Sequence, residues 1–451
     1  MRINIFILGI SALVLWSLVW YNAFRRNPLK WASPTCLFAS GLIIFYIFPS
    51  LYWQFRPWNY YIPQYFEGLP FVLGSALIFG LPFLWEIFVG VRKEKIEEYI
   101  PSFSDIKFNN LIWMSVIPII LGVSWRIYLL SLGWQGKLTR EFPKLFGSEA
   151  LTLLVNNLPY YYAVGYFIMV AFGNKTQRLI GKIFWVMDGF FQLFIMHRFF
   201  ALLFLLRSSV FATLLGWKLR GRHWVILGIC ALFILVIVGH GYGLMPDKLS
   251  DERAFLDIFE IAKVLKETTL YYAKGSSREY SIRVFDLIMA SIDDAMYRLY
   301  EARSASAVMM NVPDIIPYFN GETFKNILYA VIPRYFWPEK PDLADIQSVT
   351  KWVMPSDSGV NPTGTLAEFY MNRGFFAVFI GGIICFLACM VSDWIMGKKI
   401  RVNPALLCAY PILAECFLLA NHSFSQRASE SIHWLLVFML MVIFLKFAKA
   451  Q

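Results

Sequence analysis

The sequence predicts an all-α, polytopic membrane protein with one large domain outside the bilayer, and three observations lead to it. Hydrophobic residues make up 58% of the 451-residue chain and charged residues only 16%, against roughly 45–50% and about 25% in soluble domains. Apolar stretches long enough to cross a bilayer as helices recur from one end to the other. Between them Lys and Arg fall in short clusters at alternate connections, the pattern that membrane topology imposes. The first two exclude a single soluble domain. The third argues against a nucleic-acid partner, because the net charge of +11 is dispersed and not gathered into one basic patch.

Residues 3–24 form the first expected span. The run is too long for the core of a signal peptide, lacks a small-residue cleavage site and ends on Arg25 and Arg26, so it reads as a retained anchor. Further spans are expected over 31–53, 69–91, 111–130, 151–172, 182–196, 199–217, 224–245, 375–396, 405–420 and 434–445, which makes about eleven helices. The clusters Arg25/Arg26/Lys30, Arg92/Lys93/Lys95, Lys175/Arg178/Lys182, Lys218/Arg220/Arg222, Lys398/Lys399/Arg401 and Lys446/Lys449 occupy every second connection. The positive-inside rule then puts the N-terminus outside and the C-terminus in the cytoplasm.

This bookkeeping divides the chain into a first membrane bundle (1–245), a large extracytoplasmic loop domain (246–374) and a second bundle (375–451). The loop opens on Ala254, Leu256, Ile258, Phe259, Ile261, Ala262 and Leu265, whose spacing gives a helix with one apolar face. A second helical run over about 282–300 precedes a segment rich in proline, which is expected to be irregular. The 6 cysteines all fall in apolar segments, so neither a disulfide framework nor a metal site is indicated. Gly239, Gly241 and Gly243 lie close together, but no nucleotide-binding fingerprint surrounds them, and no cofactor is expected.

Ionisable residues within membrane helices are costly and mark functional candidates. Arg126, Arg198, Arg207 and Glu415 gather toward the outer side, whereas Glu86 and Asp393 lie toward the inner one. Long Arg side chains snorkelling to the headgroups explain any one of these. Several on one leaflet suit a diphosphate, which the guanidinium fork grips with paired, charge-assisted bonds.

The end of the large loop carries the sharpest motifs. Ile332-Pro333-Arg334-Tyr335-Phe336-Trp337-Pro338-Glu339-Lys340-Pro341 is followed by Gly364-Thr365-Leu366-Ala367-Glu368-Phe369-Tyr370-Met371-Asn372-Arg373-Gly374, and then a helix enters the membrane. These stretches resemble the O-antigen polymerase family, which joins oligosaccharide repeats carried on undecaprenyl diphosphate. The resemblance implies a GT-C-like bundle in the bacterial plasma membrane, with the large loop on the periplasmic side. It also implies metal-independent glycosyl transfer, with an undecaprenyl-diphosphate-linked oligosaccharide, membrane lipids and a chain-length regulator protein as partners.

Within that reading Arg334 and Lys340 place two cations on a proline-braced turn, a diphosphate clamp if they do not merely face water. Arg283 is a third clamp candidate, or else one half of a helix pair with Asp286. Glu368, framed by Tyr370 and Asn372, is the carboxylate expected to orient or deprotonate a sugar hydroxyl. The alternative for Glu368 is a helix-start carboxylate facing exposed amides. His422, ahead of Ser423 and Arg427, is the rival base, with an interfacial hydrogen-bonding role as its alternative. Two other functions compete. An O-antigen ligase would transfer finished glycan once, giving no ladder of repeats, and a lipid-linked oligosaccharide flippase would carry its charges along a central path with short loops.

Overall fold

The computed structural model of the chain describes residues 2–27, 29–55, 67–89, 115–124, 162–194, 198–217, 225–230, 301–331, 364–400, 404–419, 422–425 and 427–428, with a few isolated positions besides. Among these residues the regular elements are all helices: α1 (Arg2–Arg26), α2 (Pro34–Leu42), α3 (Phe48–Phe55), α4 (Leu69–Val89), α5 (Lys175–Phe194), α6 (Arg198–Leu214), α7 (Glu301–Asn311), α8 (Glu322–Val331), α9 (Gly364–Lys399) and α10 (Pro404–Leu418). Three described segments, Asn4–Arg26, Pro34–Gln54 and Gly364–Gly397, are long and apolar enough to cross a membrane. The chain is an all-helical membrane protein. Its contacts divide it into two compact units, one of Met1–Pro101, Met296–Ile332 and Glu339–Leu445, the other of Ser102–Ala295, Pro333–Pro338 and Lys446–Gln451.

In the first unit α1 buries Ile5, Ala12, Trp16, Val19 and Ala23 along one stripe and exposes Phe6, Ile7, Ile10, Val14 and Leu18 on the other side. An outer face that apolar suits lipid, where hydrocarbon solvates it. Trp16 anchors the stripe by donating its indole N–H to the Ala76 carbonyl of α4 at 3.0 Å. The second span starts on a Ser33 cap, whose hydroxyl accepts from the Cys36 amide, with Pro34 in the first turn. That pairing satisfies one orphan donor and uses a residue that has none to offer. A π turn over Ile43–Ile47 links α2 to α3.

Close packing in this unit depends on two glycines. A Cβ on Gly382 in α9 would overlap the Phe79 carbonyl of α4, and one on Gly68 would sit 2.7 Å from the Ser306 carbonyl of α7. At both places backbone rests against backbone, which small residues permit between membrane helices. Polar contacts tie further helix ends together. Tyr410 of α10 donates to the Ala32 carbonyl at 2.5 Å, and Thr35 donates to the Asp393 carboxylate of α9.

The second unit contains an antiparallel hairpin of α5 and α6, in which the Trp185 indole donates to the Ser208 hydroxyl at 2.8 Å and its ring meets Phe211. Helix α5 begins at Lys175, ahead of the expected 182. The reason is a capping box: the Asn174 side chain accepts from the Gln177 amide at 2.9 Å, and the Gln177 side chain accepts from the Asn174 amide at 3.0 Å.

Candidate functional site

Helix α9 is two arms joined at Arg373 and Gly374, whose backbone is not helical. Phe369 and Gly381 would lie about 18 Å apart on a straight helix, at 1.5 Å per residue. Instead the Phe369 ring lies 2.5 Å from where a Gly381 Cβ would stand. The first arm, 364–372, is therefore folded back along the second. Gly374 makes the reversal possible with φ 61° and ψ −149°, a combination essentially restricted to glycine. Phe369 then fills an aromatic cluster with Phe79, Phe324 and Phe424 at centroid distances of 5.9, 5.3 and 5.1 Å.

The folded-back arm carries Glu368 into the interior, where it is 0% exposed. Residues 422–425 and Arg427 lie along the same side of the arm. The Ser425 amide donates to Glu368 Oε2 at 2.9 Å. One turn earlier on that face, the Thr365 hydroxyl donates to the His422 carbonyl at 2.9 Å and accepts from the Arg427 guanidinium. Arg427, 6% exposed, also reaches the Cys416 carbonyl at 3.5 Å and lies over the Phe38 ring at 5.4 Å from its centroid. The Thr323 and Ser425 hydroxyls and the Phe424 amide also face the Glu368 carboxylate, but among the described residues Glu368 Oε1 and Arg427 Nε, both buried, have no partner in hydrogen-bonding geometry. Such atoms are costly and rare, and they mark where a polar ligand group would be welcomed.

Asn372 closes the arm. Its Oδ1 accepts from the Gly321 amide at 2.7 Å, while its Nδ2 donates to Thr323 at 2.7 Å and to the Glu368 carbonyl at 2.8 Å. The turn 319–321 adds backbone bonds from the Phe319 and Asn320 amides to the Met371 and Asn372 carbonyls. Asn372 thus spends its amide within the protein. Tyr370 is buried with its ring edge-on to Phe375 at 5.3 Å.

On the other side of the arm, Tyr46 from the π turn sets its hydroxyl against the Thr365 and Leu366 amides, within electrostatic reach of Arg427 and Glu301. Glu301 opens α7, is 8% exposed and has the Ser304 hydroxyl 3.1 Å from its carboxylate. Burial pushes the Glu301 carboxyl up to about 8, against the pull of Ser304 and Arg303. Desolvation disfavours the charged form more than a neutral hydroxyl or a nearby cation restores it.

The second unit has a separate buried polar group. Asp188 of α5 accepts from the Tyr166 hydroxyl at 2.9 Å and from the Gln192 amide at 3.2 Å, and Arg207 of α6 is 2% exposed.

Of the residues singled out in the sequence, Glu368, Asn372, His422 and Arg427 are brought together around the folded-back arm, with Tyr370 beside them. Arg207 lies in the other unit. Arg126, Arg283, Arg334 and Lys340 lie outside the described residues, as does the side chain of Arg198. Sequence reasoning passed over Tyr46, Glu301, Thr365, Ser425 and Asp188. Thr365 had a signal, because it stands three residues before Glu368 and shares its helical face. Glu301 had one too, in the small-residue run Ala302, Ser304, Ala305, Ser306, Ala307 that announces close helix contact.

A family model described as a domain of unknown function (DUF8712) matches residues 292–445. The match takes in α7 to α10 and the 422–427 segment, and so every residue of the candidate site except those of the second span. No curated protein and no solved structure matches the chain.

Proposed function

We propose that the protein joins undecaprenyl-diphosphate-linked oligosaccharide repeats by glycosyl transfer at the outer face of the bacterial plasma membrane, within a GT-C-like bundle of about eleven spans. A sugar hydroxyl of the incoming repeat attacks the anomeric carbon of the growing chain. The bond from that carbon to the carrier diphosphate breaks, its electron pair leaves with the diphosphate, and Glu368 takes the hydroxyl proton. Lys340 holds the charge that develops on the leaving diphosphate.

The observation that carries this reading is Glu368 Oε1, a buried carboxylate oxygen that no donor among the described residues meets in hydrogen-bonding geometry, inside the motif that resembles the polymerases. A sugar hydroxyl supplies the donor that atom lacks. The Ser425 amide is bonded to the other oxygen, Oε2, and fixes the carboxylate while Oε1 is left to accept the hydroxyl.

The test is extension of purified lipid-linked repeats by the full chain and by Glu368→Gln, with products resolved as a ladder. The variant keeps the shape and loses the base, and its extension rate is expected to fall about 100-fold or more. Extension at the normal rate would remove Glu368 from the chemistry, and a single transfer with no ladder would favour a ligase.

A further inference from the structure

We infer that Arg427 is a positioning residue, whose guanidinium rivets the 422–427 segment to Thr365 and so holds the Ser425 amide against the Glu368 carboxylate. The inference rests on the proposed role of Glu368 and assigns Arg427 a task other than gripping diphosphate.

The geometry is specific. Thr365 and Glu368 occupy one face of the folded-back arm, at the i and i+3 positions. The segment crossing that face is tied at three places: the His422 carbonyl accepts from the Thr365 hydroxyl, the Ser425 amide donates to Glu368, and the Arg427 side chain donates back to Thr365. One hydroxyl therefore fastens both ends of the segment, and the amide that meets the carboxylate sits between them. The Thr365 hydroxyl has a single proton, which goes to His422, so the Arg427 bond takes up its accepting side. Among the described residues the Arg427 side chain meets Thr365, the Cys416 carbonyl and the Phe38 ring, and taking a guanidinium out of water to reach them bears a desolvation cost. Contact with Thr365 is what the fold obtains in exchange.

Removing either side of the bond frees the segment, and Glu368 then becomes both reachable and misoriented. The test uses the full-length protein in lipid nanodiscs, as wild type, Arg427→Gln, Arg427→Lys, Thr365→Val, Thr365→Ser and the Arg427→Gln/Thr365→Val double variant. The first readout needs no turnover: modification of Glu368 by a hydrophobic carbodiimide, quantified by mass spectrometry, with Glu368→Gln as the blank. Loss of the Arg427 bond is expected to raise modification about tenfold in Arg427→Gln, and Thr365→Val, which also loses the His422 bond, should raise it at least as much. Thr365→Ser and Arg427→Lys, which keep a hydroxyl and a donor, should stay near wild type. The double variant should match Thr365→Val, because Arg427 acts on the segment only through that hydroxyl. Thr365→Val is nearly isosteric, so it carries the test if Arg427→Gln does not fold.

Wild-type modification in Thr365→Val, or additive effects in the double variant, would overturn the inference. The second readout is extension of lipid-linked repeats. A positioning role lowers kcat about tenfold in both single variants with KM for the lipid-linked donor nearly constant. A raised KM with kcat intact in Arg427→Gln alone would make Arg427 a substrate ligand and would likewise overturn it. If the wild type extends nothing while the modification pattern holds, the glycosyl-transfer reading fails and the positioning role stands.

Discussion

Replacing Gly374 by alanine tests whether the reversal in α9 is a built feature. Gly374 sits at φ 61° and ψ −149°, and holding a residue with a Cβ there costs about 1–3 kcal/mol. Alanine also favours a continuous helix by about 1 kcal/mol over glycine, and a straight α9 is the competing conformation. The new Cβ would stand 2.9 Å from the Tyr318 hydroxyl, but that is the far end of a movable side chain and adds little. The sum is a loss of about 2–4 kcal/mol from the folded-back state. Equilibrium unfolding in mixed dodecyl maltoside and SDS micelles, followed by tryptophan fluorescence, would measure it. A Gly374→Ala variant within about 0.5 kcal/mol of wild type, the ordinary range for a neutral surface change, would refute the argument that glycine alone permits the hinge.

Asn372→Ala removes three hydrogen bonds and leaves the part-buried Gly321 amide without its acceptor; the expected destabilisation is about 2–3 kcal/mol in the same unfolding assay. A loss of glycan extension with stability unchanged would instead mean that Asn372 contacts substrate. Glu301 predicts a pH dependence. The folded chain keeps its carboxyl protonated up to about 8, whereas the unfolded chain releases that proton near the ordinary 4.5. Its contribution to stability is therefore whole below 4.5 and is lost as the pH rises through about 8. Glu301→Gln, neutral at every pH, should be more stable than wild type at about pH 9 and equal to it at about pH 4, and unfolding midpoints that shift identically with pH in both proteins would remove Glu301 from the account.

Much of the helical architecture was legible in the chain because apolar length and periodicity are local properties. The expected spans over 3–24 and 69–91 fall on α1 and α4, since a run of lipid-compatible side chains must satisfy its own backbone as a helix. The Gly364–Gly374 motif also stood out, and it holds both the hinge and Glu368. Its geometry was not legible. The sequence reading put Glu368 at the end of the large loop, ahead of a membrane helix, and had no means of telling that the arm bearing it turns back beside the rest of α9 and buries it. Hydropathy counts residues along the chain and cannot register a reversal that one glycine makes possible.

The sequence by itself determined that this chain is helical and made for a membrane, and it pointed to Glu368, Asn372, His422 and Arg427 as residues of interest. Only the tertiary structure decided that these four converge, through bonds that bring positions 365 and 368 against 422, 425 and 427. It alone brought in Tyr46 from the second span and Glu301 from α7. The reason is physical. Burial and hydrogen-bond partners of a buried charge are set by whatever helices close over it, and those helices come from positions far away along the chain.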